Sequence, residues 1–432
     1  MKFARISPRV IEILFVHFRI LYIFAVWSYK KISVVRAYIT SAFTYQTLIV
    51  ASEKPTIYLV INRHNLNYLR AGIHKVETYF REELINAKFD NLRIVPVYWN
   101  GLSFVVKENF ASCRPGRNRK ELVWNPSVGD FVFFQTFSQI KFMGKQNFHK
   151  ISRNCRVVVS IYDILPLTNP EWFKPYMVLS FQEIFSWVLR RANILVVNSI
   201  HTKGEISKYL ESNEEIRGNL PAISVVHLWS IAEGIQKSSF SKSDSDPVTR
   251  YSFSNNNPVI TLVSTIEPRK GHFQVMEAAG AAWSFGKHFN LIFVGQMGWI
   301  SNLQQKDFFD FILQHNDCVK WVPDANDAEV ADIYKNSSML LSSSFDEGFG
   351  LPVAEAIILG IPVLLRNIAV YKELFGRRAV LFGNGEQFKT LEEAFLNFEF
   401  LLQQYDLPLG QKMWSMTSSV DALITALFEQ KI

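Results

Sequence analysis

The sequence predicts an α/β protein of two doubly wound domains facing a cleft, preceded by an amphipathic helical segment. Three observations carry this. Short apolar runs alternate with helical stretches along most of the 432 residues, which is the pattern of a parallel sheet covered on both faces. The alternation breaks at a polar stretch over 230–257, rich in Ser, Asn and Asp, and then restarts. Chemistry-bearing residues follow the apolar runs, where ligands of such sheets bind. The domains are accordingly drawn as 51–235 and 258–432, joined by a linker over 236–257, with 1–50 as a separate apolar and basic segment.

Composition bounds the function. A hydrophobic share of 48% with 20% charged residues describes a folded chain with a large core, and 36 Phe fit either that core or a surface touching lipid. The net charge of +7 favours an anionic partner such as a nucleotide or an anionic membrane. Zinc-finger spacing and basic tracts with interleaved aromatics are lacking, which argues against nucleic acid. Three scattered cysteines, Cys113, Cys155 and Cys318, argue against a disulfide framework and favour a reducing compartment.

The first segment is apolar from Val10 to Tyr29 but interrupted by Glu12, His17 and Arg19. At 100° per residue Arg5, Arg9, Glu12, Arg19 and Lys30 share one narrow stripe. Charges at the centre of a spanning helix are costly. The stripe suits a helix lying in the membrane interface, with Lys30, Lys31 and Arg36 near anionic headgroups. Packing on the protein's own core is the alternative. A cleaved signal peptide fits poorly, since charge breaks the apolar run.

In the first domain, strands are expected at 56–62, 92–98, 130–134, 157–161, 194–197 and 223–227, with helices at 72–85, 176–191 and 202–211. In the second, strands are expected at 259–264, 290–294, 319–322, 339–341 and 362–365. Helices are expected at 272–283, 306–315, 328–335, 391–404 and 414–430.

The most informative stretch is Ser344-Phe-Asp-Glu-Gly-Phe-Gly-Leu-Pro-Val-Ala-Glu355. Glu347 lies in a glycine-rich turn after a strand, and Glu355 lies about one turn inside the following helix. Pro352 suits a helix start. Helix N-termini present free N–H groups and a positive dipole end, so they attract phosphate. Two acceptors beside such a turn suit the hydroxyls of a sugar and of a ribose. Acids near a helix start can also be mere dipole partners.

Arg269 and Lys270 follow the first strand of the second domain, in Val263-Ser-Thr-Ile-Glu-Pro-Arg-Lys-Gly271. Adjacent cations there can neutralise a diphosphate leaving group. In Val294-Gly-Gln-Met-Gly298, Gly295 permits close backbone approach by a ligand. Trp321-Val-Pro-Asp324, with Val322, suits the wall of a nucleobase pocket. In the first domain, Gly72 near a helix start can admit phosphate, or mark a plain turn. Asp163, in Ser160-Ile-Tyr-Asp-Ile-Leu-Pro166, can accept from a sugar hydroxyl or serve as a turn aspartate. Ser199, in Asn198-Ser-Ile-His-Thr-Lys203, suits a helix cap. Asp244 and Asp246 sit in the serine-rich linker without a preceding strand and read as solvated. No two-His ligand spacing, no Gly-x-Ser-x-Gly elbow and no Walker-type loop is found. No metal site and no resident cofactor are expected.

On these motifs the chain resembles retaining GT-B glycosyltransferases of the GT4 type, the glycosyl transferases group 1. The resemblance is strongest over 259–380 and weaker over about 56–430. Ala71-Gly-Ile-His-Lys-Val76 and Tyr162-Asp-Ile-Leu-Pro166 are similar to patterns of a subgroup acting in O-antigen, capsule and exopolysaccharide assembly. Tyr162 stands where that subgroup usually has His, and Lys75 where it has Arg.

The resemblance implies a GT-B fold of two Rossmann-like domains and metal-independent transfer with retention. A hexose, mannose in this subgroup, would pass from a nucleotide-diphosphate sugar to a lipid-linked or growing glycan. Arg269 and Lys270 would hold the diphosphate and Glu347 the donor-sugar hydroxyls. Gly348, Phe349, Gly350 and Leu351 would present backbone N–H groups. Glu355 would bind the ribose, Gly72 would sit by the phosphates, and Asp163 would lie near the reacting sugars. Such a protein would be cytoplasmic, peripheral on the inner face of the cell membrane. A non-catalytic subunit that binds a nucleotide sugar, or scaffolds a glycan assembly complex, is the alternative from another class.

Overall fold

The structure is a computed structural model that describes residues 55–61, 72–87, 89, 92–99, 104–106, 122–124, 129–213, 220–229, 232, 253–383, 386, 388–404 and 419–428. The helix expected over 10–29, most of the linker, the Asp244/Asp246 pair and Cys113 lie outside these residues.

Two sheets organise the chain. The first has strands β1 (Thr56–Val60), β2 (Arg93–Trp99), β3 (Phe104–Val106), β4 (Leu122–Trp124), β5 (Phe131–Phe134), β6 (Arg156–Ile161), β7 (Ile194–Val197) and β8 (Ala222–Val225). Their spatial order is β4-β3-β2-β1-β5-β6-β7-β8. The apolar runs at its centre are buried on both faces, as in β5, where all four residues are buried. Helices on both sides of a parallel sheet require this. The pairings of β3 with β2 and with β4 are antiparallel, and they make one edge of the sheet. This departs from the all-parallel expectation. Three-residue strands present too short a pattern to be read in advance.

The second sheet has β9 (Val259–Val263), β10 (Asn290–Val294), β11 (Val319–Val322), β12 (Met339–Ser342), β13 (Val363–Arg366) and β14 (Val380–Phe382). It is parallel, in the order β11-β10-β9-β12-β13-β14. Counted from β9 this is 3-2-1-4-5-6, the doubly wound order, whose direction reverses between β9 and β12.

Local sequence sets several boundaries. The helix Asn302–Gln314 starts earlier than expected because Ser301 and Gln304 form a capping box. The helix expected over 391–404 is two helices, Leu391–Leu396 and Phe398–Gln404, separated at Asn397. The last helix, Ser419–Phe428, packs on the first domain: Ser419 Oγ donates to His227 O at 2.7 Å, and the Phe428 ring lies 5.6 Å from Phe131. One core cluster runs through both domains, from Ile57 and Phe80 through Trp229 to Phe349, Phe375 and Leu423.

Candidate active site

The ionic groups at this site are delivered by strand ends. Arg269 and Lys270 follow β9 in a 3₁₀ turn, Pro268–Lys270, and Glu347 follows β12. These two strands flank the point where the sheet order reverses, the place where ligands of such sheets sit. The two loops are tied together. Phe345 N donates to Arg269 O at 2.8 Å, and Ser343 Oγ donates to Lys270 O at 2.7 Å. Gly271 has φ 71°, and a Cβ there would stand 2.4 Å from Ser343 O, so only glycine lets the loops meet this closely.

The side chains form a compact ionic cluster. Arg269 Nη1 donates to Glu347 Oε2 at 3.0 Å, and its Nε donates to Glu267 Oε2 at 3.1 Å. Lys270 Nζ donates to Glu347 Oε1, which also accepts from Ser344 Oγ at 2.8 Å. Burial opposes ionisation of Glu347, but Lys270 and Arg269 outweigh it and hold the carboxyl at about 2. Lys270 is pushed below the usual lysine range by burial and by Arg269 beside it. His272 behind it is buried and driven down to about 3, so it adds no third cation.

Asp163 comes from the other domain, two residues past β6. Its Oδ1 accepts from Leu165 N at 3.2 Å, the turn role that an aspartate there can play. It also belongs to the cluster: burial raises its carboxyl pKa, while Arg269 and Lys270 lower it and Glu347 raises it. Two cations thus face three carboxylates, Asp163, Glu267 and Glu347. Glu267 is also raised, by burial first.

Glu355 lies in the helix Leu351–Ile358, 5% exposed. Tyr334 Oη donates to its Oε2 at 3.1 Å, and Lys75 of the first domain lies within its field. Burial raises its carboxyl pKa, against Lys75 and Tyr334. Gly350 caps the helix with φ 93° and no side-chain cap bond. A Cβ on Gly72 would stand 3.5 Å from Leu351 Cδ1, which places Gly72 against this turn across the cleft. Phe349 turns the other way, into the shared core beside Trp229 and Phe375.

Two expected residues, Val322 and Gly295, are placed by contacts within the second domain. Val322 packs with Ile292, Val294 and Ile333, and its carbonyl accepts from Gly295 N at 3.0 Å. What approaches Gly295 is backbone of this chain: a Cβ there would stand 2.2 Å from Ser264 O. Tyr162 lines a small cavity with Val76, Phe80 and Ser160, and burial followed by Glu77 raises its phenol pKa.

The seam between the domains was not legible as such. Ser199 Oγ donates to Gly348 O at 2.9 Å and also caps its own helix, Ile200–Ser212. Glu373 accepts from Ile200 N at 2.8 Å and from His201 N at 2.7 Å, capping that helix from the second domain. Burial opposes its ionisation, but His227 Nε2, 3.5 Å from Oε1, and the bonds from the two amides hold its pKa below the usual range. His201 Nε2 lies 3.1 Å from Asp346 Oδ1. That hydrogen bond, against burial, raises the His201 pKa above 6.5. Its contribution to closure is therefore full below pH 6.5 and lost as pH rises through the raised value. The apparent Tm is expected to fall as pH rises above 6.5, by a margin that His201→Gln abolishes. An equal fall in the variant would sink the assignment.

Comparison with known proteins agrees with this geometry. Residues 249–399 match the family model of the glycosyl transferases group 1. The serotype-specific mannosyltransferase WbdA of Escherichia coli is 29% identical over 260 residues, 59% of this chain but 31% of that protein's own length. The O-antigen chain mannosyltransferase RfbU of Salmonella typhimurium is 25% identical over 244 residues, 56% of this chain and 61% of its own. Among solved structures, Anabaena HepE in complex with UDP and glucose superposes with a TM-score of 0.51 at 15% identity, covering 86% of this chain and 94% of that one. Sucrose-phosphate synthase from Thermosynechococcus elongatus gives the same TM-score at 12% identity, over 81% and 90%. Residues 249–399 are thus a glycosyl transferases group 1 domain, set in a two-domain fold of the GT-B type.

Proposed function

We propose that the chain is a retaining, metal-independent glycosyltransferase that moves a hexose from a nucleotide sugar to a lipid-linked or growing polysaccharide acceptor. The observation that carries this is the Arg269–Lys270–Glu347 cluster at the switch point of the second sheet, with Asp163 brought to it from the first domain. Mannose is the first donor sugar to test, since WbdA and RfbU are named mannosyltransferases.

The chemistry follows from the charges. Breaking the glycosidic C–O bond builds negative charge on the departing diphosphate, and preorganised cations stabilise it where water is excluded. Arg269 and Lys270, 16% and 12% exposed, are such cations. Glu347 bonds both cations, and its low pKa keeps it an acceptor for sugar hydroxyls. The acceptor hydroxyl attacks from the face that the diphosphate leaves, and the leaving phosphate takes up its proton. Glu355, buried and one helical turn further in, holds the ribose.

Incubation of the protein with labelled GDP-mannose and UDP-hexoses, lipid-linked acceptors and a chelator tests the reading. Transfer that survives chelation, with an α-linkage from an α-donor, is expected. Absence of transfer with tight donor binding would favour the non-catalytic subunit, a reading that Tyr162 favours by turning its side chain into the core. Glu355→Ala is expected to weaken donor binding by about 10- to 100-fold, the worth of one or two hydrogen bonds to a charged group. Calorimetric titration measures it, and an unchanged affinity would remove Glu355 from the donor site.

No helix among the described residues is long and apolar enough to cross a membrane. Contact with the inner face of the cell membrane, through the apolar segment 10–29, is part of the proposal. Vesicle sedimentation with and without anionic lipid tests it.

A further inference from the structure

The motif Gly295-Gln-Met-Gly-Trp299 has a structural logic that the donor site does not use. Ile266 N donates to Gln296 O at 2.9 Å, and Gly298 N donates back to Ile266 O at 3.0 Å. A Cβ on Gly298 would stand 2.8 Å from Ile266 O and from Glu267 Cγ. The two glycines therefore let the loop after β10 lie bonded along the loop after β9, the one that runs into Arg269. Trp299 is fixed relative to Arg269 as a result.

From that mount Trp299 reaches the other domain. Its indole N–H donates to Trp172 O at 2.7 Å, and its ring lies 5.8 Å from Phe173. The Trp172 ring lies 6.2 Å from Phe345, whose own amide is bonded to Arg269 O. Trp172 ends the segment that Asp163 begins. Bonds Leu167 N to Ile164 O, Asn169 N to Leu165 O and Trp172 N to Asn169 O stiffen that segment along its length. A hydrogen-bonded path thus links Asp163 to Trp172, crosses to Trp299, and returns to Arg269.

We propose that Trp299 is a positioning residue whose grip on Trp172 holds Asp163 against the Arg269–Glu347 cluster. Its kinetic consequence rests on the transfer reaction proposed above; its structural consequence does not. Donor groups of the second domain remain in place without the clasp, so donor binding persists while the reacting geometry loosens.

Trp299→Phe keeps the ring beside Phe173 and loses the N–H bond, and Trp299→Ala loses both. Transfer kcat is expected to fall about fivefold in the first and about 50-fold in the second. Affinity for GDP-mannose and UDP-glucose, by calorimetry, should stay within about twofold, because neither ring nor N–H touches the donor groups. Hydrogen exchange gives the independent readout. Amides of 163–173 should lose protection in Trp299→Ala while those of 290–294 keep theirs. Wild-type kcat and wild-type exchange in both variants would overturn the proposal, as would donor affinity falling in step with kcat. If the wild type transfers nothing yet 163–173 deprotect in the variant, the clasp stands and the transfer reading fails.

Discussion

Arg269→Ala is expected to lower kcat/KM for sugar transfer by about a thousandfold, as removal of a preorganised donor from a developing anion does. Arg269 is the hub of the ionic cluster. It bonds Glu267 and Glu347 at once and feels Asp163 across the cleft. Lys270 alone would remain to meet the leaving diphosphate, and burial together with its like-charged neighbour already lowers its pKa. Removing Arg269 takes away one of the causes that lower the Lys270 pKa, so Lys270 remains as a cation and the loss is not total. Arg269→Lys restores a cation without the planar fork that serves two carboxylates, and it should recover only a small part of the rate. Steady-state kinetics with a saturating acceptor separate these outcomes. Near-wild-type turnover in Arg269→Ala would show that the diphosphate is held elsewhere. Circular dichroism checks that the buried Glu267, left without its partner, has not unfolded the domain.

Much of this site was legible in the sequence because its groups follow strands. An apolar run such as Met339 to Leu341, followed by a glycine-rich turn and two acids, places those acids at the ligand edge of a sheet whatever the strand order is. The 3-2-1-4-5-6 order then brings the ends of β9 and β12 side by side, and the sequence does not display that neighbourhood. Arg269 and Glu347 are 78 residues apart, and only sheet pairing shows that they touch. The seam was less legible still. His201 meets Asp346 across 145 residues, and Trp299 meets Trp172 across 127. Neither pair has a local signature, because an interdomain contact obeys no helical or strand period. The glycines show the same limit. Gly295 was legible as a place of close backbone approach, but a lone glycine does not reveal whether a ligand or the chain's own backbone does the approaching.

Gly348→Ala is expected to abolish closure of the cleft while leaving the second domain folded. An alanine Cβ would stand 1.8 Å from Tyr162 O and 2.8 Å from Tyr162 C, both backbone atoms of the first domain. Backbone at a strand end cannot give way by the more than 1 Å that such an overlap demands, since interiors are packed without slack. Gly348 does not have a positive φ, so alanine is not strained by its own conformation. The obstruction lies wholly between the domains. Ser199 would lose its bond to Gly348 O, and Asp163 would be held away from Arg269 and Glu347. Transfer should therefore fall by at least about 100-fold, the scale on which an ångström of misplacement acts, while donor affinity falls far less. Small-angle scattering should report a larger radius of gyration. Gly271→Ala is the contrasting variant. Its φ of 71° and its 2.4 Å approach to Ser343 O lie inside one domain, so it should lower the Tm of that domain directly. The two glycines are then separable by measurement, one setting the architecture of the donor loops and the other the distance between the domains. Wild-type turnover in Gly348→Ala would mean that the reacting state is more open than the closed arrangement seen here.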